Sequence, residues 1–230
     1  MGAGRRGDIE MQIQDFRKLK KAFDEYVAGF DDCIKTAPSR GHMRSYLRGQ
    51  MGPLPRKSIE PIALEAGTSP RTLQEFLSIH RWDHEAVGQR LRGMVRRDHA
   101  DENAIAVIDE SSFPKCGDKT PGVQRQYCGA TGKIDNCVTA VHVGYAAGSF
   151  HALLDADLYL PEIWASDLER RRSARIPDDV VFRPKWRIAL DLLGRSIAEG
   201  IRFRWLAADE AYGGIAAFRQ EVAKAGLIYM

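Results

Sequence analysis

Two short segments of this chain share one layout, and together they constrain its fold more than any other feature. Ala104-Ile105-Ala106-Val107-Ile108-Asp109-Glu110 and Arg204-Trp205-Leu206-Ala207-Ala208-Asp209-Glu210 are largely apolar runs. Both stop abruptly in Asp-Glu and pass into turn-forming residues. Short apolar runs bounded in this way read as buried strands. A carboxylate at the end of a buried strand is costly unless something positive meets it. Two such carboxylates can share a divalent cation if both strand ends reach one edge of a sheet. Side chains alternate along a strand, so Asp109 and Glu110 point to opposite faces. By the same rule Ile201, Phe203, Trp205 and Ala207 share a face with Asp209, and Glu210 points away. The alternation reduces four acids to Asp109 and Asp209.

The first hundred residues read as helical. Ile9, Ile13, Phe16, Leu19, Phe23, Val27 and Phe30 recur at spacings of three and four, the mark of an amphipathic helix over residues 9–30. Pro53 and Pro55 then interrupt the chain. In the stretch 58–77, Ser58 can cap a short helix that Gly67 ends, and Ser69 can cap a second with Pro70 at its first position. Ala63, Gly67, Leu73 and Leu77 would line the inside of this helix-turn-helix. It is either a DNA-docking element, with Arg71 near the start of the second helix, or a plain helical hairpin. A further helix over 83–97 ends in Arg90, Arg92, Arg96 and Arg97, which either touch phosphate or form a solvated face.

The pattern changes after Asp101. A strand at 104–109 is followed by a polar, Gly- and Lys-rich stretch, 111–134, that contains Lys115, Lys119, Arg125 and Lys133. Strands are expected at 136–146 and 150–160, with Gly144 to Ser149 as the turn between them. Residues 161–184, with three prolines and Arg170-Arg171-Arg172, read as an exposed excursion. A helix over 186–199 carries Trp186, Ala189, Leu190, Leu193 and Ile197 as one stripe, and Gly200 stops it. A strand over 201–209 and a last helix with Ile215, Phe218 and Val222 inward complete the order, Gly226 ending that helix. The fold class is mixed α/β. A helical region at 1–100 precedes a sheet-bearing domain at 101–230.

Charge follows this division. Residues 1–100 hold 18 Lys/Arg against 13 Asp/Glu, whereas residues 101–230 hold 16 against 18. A basic front and a mildly acidic back fit a nucleic-acid-binding part joined to a carboxylate-bearing part. No apolar run is long enough to span a membrane, and the N-terminus has no apolar stretch behind its basic residues, so the expected compartment is the cytoplasm. Cys33, Cys116, Cys128 and Cys137 contain no Cys-x-x-Cys pair and read as reduced thiols.

Hard carboxylate oxygens at Asp109 and Asp209 suit Mg²⁺ or Mn²⁺. Such ions would activate an attacking oxygen and steady the leaving oxygen of a phosphodiester. A glycosidase also works with two carboxylates, without a metal, and two acids alone do not choose between these chemistries.

Four phrases decide. Val107-Ile108-Asp109-Glu110-Ser111-Ser112-Phe113-Pro114-Lys115 is the first, and the run from Val123 through Tyr127-Cys128-Gly129 to Cys137 the second. Leu158-Tyr159-Leu160-Pro161-Glu162-Ile163-Trp164 and Ala208-Asp209-Glu210-Ala211-Tyr212-Gly213 are the others. In this order, behind Leu73-Gln74-Glu75-Phe76-Leu77 and Trp82-Asp83, the sequence over about residues 40–230 resembles bacterial insertion-sequence transposases of the DDE superfamily. The resemblance implies an RNase H-like catalytic domain and metal-dependent cleavage and strand transfer of element DNA. Asp109 and Asp209 would be catalytic metal ligands, and Arg71, Lys115, Arg125 and Lys133 would contact double-stranded DNA. The implied partners are element ends and further copies of the chain, with no membrane and no small-molecule cofactor. The family's third acid, a Glu, lies well downstream of the second. Glu221 is the only acid after Glu210 and stands on the polar side of the following helix. The expectation is therefore a C-terminally truncated, inactive transposase, or alternatively a non-catalytic DNA-binding or transposase-pairing module. Leu227 to Met230 is expected to be a strand start without a partner.

Overall fold

The computed structural model describes residues 13–230, so Ile9 lies outside the described residues. The chain divides into two units, one running to Arg90 and the other starting at Leu91.

The first unit is helical: α1 (Ile13–Ala28), α2 (Ala37–Met51), α3 (Ile59–Glu65), α4 (Pro70–Ser78) and the beginning of α5 (His84–Asp98). Only the end of the α1 stripe is used. Val27 and Phe30 are buried, whereas Phe16 and Leu19 are more than half exposed. Thr36 caps α2 by accepting from the Ser39 amide. Ser58 and Ser69 occupy the cap positions expected of them, but neither side chain makes a capping hydrogen bond. Gly67 ends α3 with φ at 66°, a left-handed turn that favours glycine. That role puts Gly67 on the outside of the hairpin, and Leu77 is exposed as well. The interior consists of Ile62, Ala63, Leu73 and Phe76, because Phe76 stands one turn after Leu73 on the buried face. Gly49 of α2 lies so close to α3 that a Cβ there would stand 2.5 Å from Ile62 Cγ2.

The second unit is built on one mixed sheet of β1 (Ile105–Pro114), β2 (Gln124–Cys128), β3 (Lys133–Ala147), β4 (Phe150–Leu158), β5 (Trp205–Ala207) and β6 (Ile228–Tyr229). The order is β4-β3-β1-β5-β6, with β2 beside β3 on the same edge as β4. This is possible because β3 is long. Lys133 to Cys137 pair with β2, and Ala140 to Ala147 with β4. The pairings of β3 are antiparallel, and β1–β5 and β5–β6 are parallel. Helices α6 (Glu162–Ala165), α7 (Leu168–Ser173), α8 (Lys185–Ala198), α9 (Glu210–Gly213) and α10 (Ala216–Lys224) complete the unit. A mixed sheet with flanking helices, preceded in sequence by a helical region, is present as expected. No described helix is long and apolar enough to cross a membrane, and all four cysteines are free thiols.

Local departures have identifiable causes. β1 continues past Asp109 to Pro114 because β3 offers it partners down to Cys137. β3 likewise runs through Gly144, and the turn shifts to Gly148. β2 was hidden in a stretch without apolar alternation. Residues 161–184 are not an exposed excursion. Trp164 is fully buried, donates from Nε1 to the Val123 carbonyl at 2.7 Å, and packs with Val123, Val138 and Leu160. β5 is short because the amides of Arg204 and Trp205 both donate to the Ala104 carbonyl. This irregularity shifts the buried phase from Ile201 and Phe203 to Leu206. The buried stripe of α8 is Ile188, Ala189, Leu192, Leu193 and Ser196, with Ile197 turned outward. Phe218 and Val222 are buried as expected. Ile228 and Tyr229 do have a partner: they pair with Trp205 and Leu206.

Arg92 does not face phosphate. It is 3% exposed and donates to Glu199 at 2.6 and 2.7 Å and to Asp155 at 3.0 Å. Arg195 lies 3.0 Å from the same Asp155 oxygen. Burial holds the Asp155 carboxyl above its ordinary range, against the opposing pull of Arg195 and Arg92. Removing one partner of a buried ion cluster strands the others. Arg92→Met is therefore expected to cost about 3–5 kcal/mol in urea unfolding. Gly49→Val, which forces a branched side chain against Ile62, is expected to cost about 1–3 kcal/mol, read as a lower midpoint in thermal loss of helical circular dichroism.

Candidate active site

β1 separates its acids by alternation. Ala106 and Ile108 are buried in the core formed with α8, and Glu110 follows them on that side. Val107 and Asp109 face the other way, and both are exposed. Parallel pairing sets β5 beside β1 with Ile105 opposite Trp205, Ala106 opposite Leu206 and Val107 opposite Ala207. Asp109 and Asp209 each lie two positions beyond the last of these pairs. The backbone stays extended at Asp209, with φ −73° and ψ 177°, and α9 starts at the next residue. The Tyr229 hydroxyl donates to the carbonyls of Ala208 (3.1 Å) and Asp209 (3.3 Å), tying this segment to β6.

Neither Asp109 nor Asp209 is in an ion pair among the described residues. Asp109 Oδ1 accepts from the Glu110 amide at 2.7 Å, and the Asp209 side chain makes no capping bond to α9. Both carboxylates are exposed, so water solvates them without a positive partner. The acid that does meet a cation is Glu110. Lys185 Nζ stands 2.5 Å from its Oε2, and the Tyr212 hydroxyl donates to Oε1 at 3.1 Å. Tyr212 is 2% exposed. Burial first, then the charges of Glu110, Asp209 and Asp109, push its phenol far above the ordinary range, so it stays protonated and donating. Its place in Asp209-Glu210-Ala211-Tyr212 was visible in the sequence; Lys185, far along the chain, carried no signal.

Other neighbours follow from the register. His142 lies opposite Asp109 in the antiparallel ladder, and its Nε2 is 3.0 Å from Ser111 Oγ. Cross-strand neighbours share a face, so Asp109, Ser111 and His142 stand together. Among the described residues, no group of three or more His, Cys, Asp or Glu is arranged to hold a metal ion. The two aspartates are a hard-oxygen donor pair that fits part of a divalent site.

The basic residues expected to contact DNA are all exposed. Arg71 lies in the first unit and pairs with Glu75 at 2.8 Å. Lys115 and Lys119 lie between β1 and β2, and the Asn136 side chain holds this segment by donating to the Lys115 and Gly117 carbonyls. Arg125 is opposite Asn136 and Lys133 opposite Cys128, which puts the two cations on opposite faces of the β2–β3 ladder. Glu221, the remaining acid, is paired with Lys224 on α10.

Comparison with known proteins bears on this geometry. Residues 29–230 match the family model described as DDE superfamily endonuclease. The chain is 29% identical over 195 residues to a probable transposase for insertion sequence element IS701 from Microchaete diplosiphon. That match takes in 84% of this chain and 48% of the relative, so the chain spans about half the length of the curated relative it matches. Among solved structures, the Drosophila P element transposase strand transfer complex is similar at a TM-score of 0.35 and 13% identity, covering 93% of this chain and 42% of that one. A pre-cleavage Mos1 transpososome is similar at 0.20 and 10%, covering 97% and 69%. The match over residues 29–230 spans most of the sequence, and the chain belongs to the DDE superfamily endonuclease family.

Proposed function

We propose that this chain carries part of the catalytic centre of a metal-dependent DNA transposase, with Asp109 and Asp209 as two ligands of Mg²⁺ or Mn²⁺. The observation that carries the reading is the β1–β5 register, which supports two exposed carboxylates, each two positions beyond the last β1–β5 pair. Adjacent strands lie about 4.8 Å apart, close enough for carboxylates to share an ion. When bound, the ion would activate an attacking oxygen and offset charge on the scissile phosphate. The chain's own part is to hold both carboxylates on one face. Residues 101–230 then form the catalytic domain. Residues 1–100 form a helical DNA-binding region with α3–α4 as its helix-turn-helix and Arg71 at the DNA. Lys115, Arg125 and Lys133 meet backbone phosphates, on both sides of the β2–β3 hairpin. The partner is double-stranded DNA at element ends in the cytoplasm, met by more than one copy of the chain.

The pair lacks a third acid among the described residues, which favours a chain that binds DNA but does not cut it. Mn²⁺ titration followed by water-proton relaxation is expected to show binding that Asp109→Asn or Asp209→Asn abolishes. Unchanged binding in both variants sinks the ligand assignment. In gel shifts at low salt, Arg71→Ala is expected to weaken DNA retention while Asp109→Ala leaves it intact. Asp109-dependent nicking of element DNA by this chain with Mg²⁺ would disprove its inactivity.

A further inference from the structure

We infer that Glu110 is a positioning residue, which with Lys185 and Tyr212 fixes the part of β1 bearing Asp109 against the helix start bearing Asp209. The inference rests on the metal-ligand reading of those two acids and adds a residue that acts on them from the opposite face of the sheet. Strand alternation turns Glu110 toward the core side, where a half-buried carboxylate needs partners. Its partners come from two further elements: Lys185 is the first residue of α8, and Tyr212 belongs to the single turn of α9.

The connection is continuous. The Glu110 amide donates to Asp109 Oδ1 at 2.7 Å. The Glu110 carboxylate accepts from the Tyr212 hydroxyl at 3.1 Å. The backbone amides of Tyr212 and Gly213 donate to the Asp209 carbonyl at 3.2 and 2.9 Å. One side-chain link therefore joins the segments of both aspartates. The Tyr212 ring is buried, so its hydroxyl cannot swing away without unpacking from Phe218, whose ring centroid is 5.6 Å away. β5 holds only three residues, and bridging to β1 stops at Val107 and Ala207. Beyond that point the two acids have no ladder between them among the described residues, and the Glu110–Tyr212 bond takes over the spacing.

The test is Mn²⁺ titration by water-proton relaxation on wild-type protein, Tyr212→Phe, Glu110→Ala and Glu110→Gln, with thermal melts of each. Tyr212→Phe keeps the packed ring and removes only the hydroxyl. Loss of one positioning hydrogen bond corresponds to about fivefold in affinity. Tyr212→Phe and Glu110→Ala are expected to weaken Mn²⁺ binding by about that factor at temperatures where both are folded. Glu110→Gln, which can still accept from Tyr212, is expected to recover most of what Glu110→Ala loses. Wild-type affinity in Tyr212→Phe, even with a lowered melting temperature, overturns the proposal, because a merely structural bond would give that result. Equal loss in Glu110→Gln and Glu110→Ala also overturns it, since Glu110 would then be a ligand. If wild-type protein shows no Mn²⁺ binding that Asp109→Asn removes, the metal reading itself fails and this inference with it.

Discussion

Parallel pairing of β1 with β5 is the constraint on which the rest of the sheet-bearing unit depends. It is short, three residue pairs from Ile105–Trp205 to Val107–Ala207. Parallel strands need a crossover connection. Here everything from β2 to α8 is interposed, and α8 covers the face that Ala106, Ile108 and Leu206 present. The pairing also brings Asp109 and Asp209, far apart in sequence, to equivalent positions. A slip of one residue would turn one acid to the opposite face. Two features oppose a slip: the shared Ala104 carbonyl, which accepts from both Arg204 and Trp205, and the alternation of buried and exposed residues along β1.

Charge on the core side of the sheet is managed in pairs. Glu110 meets Lys185, and Asp155 meets Arg92 and Arg195. Asp157 and Asp191 both meet Arg183. Of these acids Glu110 and Asp155 are the less exposed, and each has a cation. On the opposite side Asp109 has none and is open to water. The contrast separates acids compensated by protein cations from one that faces solvent. Buried carboxylates need compensation by protein groups, whereas exposed ones are solvated until a ligand arrives.

Several features of the fold are legible in the sequence. The helices at 185–198 and 216–224 announced themselves by periodicity, because one face of each packs on apolar neighbours, whereas the stripe of α1 is buried only at its end. What misled were places where tertiary pairing overrides local pattern. The Lys- and Gly-rich stretch after Asp109 hides β2 and half of β1, whose strand character comes from pairing with β3 rather than from apolar alternation. Trp164 stood in a segment that reads as surface, yet its indole is buried against Val123 and Val138. Arg92 looked like one of four surface cations; Glu199 and Asp155, far off in sequence, make it internal.

The sequence by itself determined that Asp109 and Glu110 part company across the sheet, because alternation is a property of any extended chain. It also carried the family, through phrases that fall within the matched residues 29–230. Only the tertiary structure decided which neighbours each acid acquired. Strand register set Asp109 beside His142 and level with Asp209, and helix placement gave Glu110 to Lys185 and Tyr212. Those outcomes depend on contacts between residues up to a hundred positions apart. No local pattern encodes them, since they follow from how the buried faces of separate elements fit together.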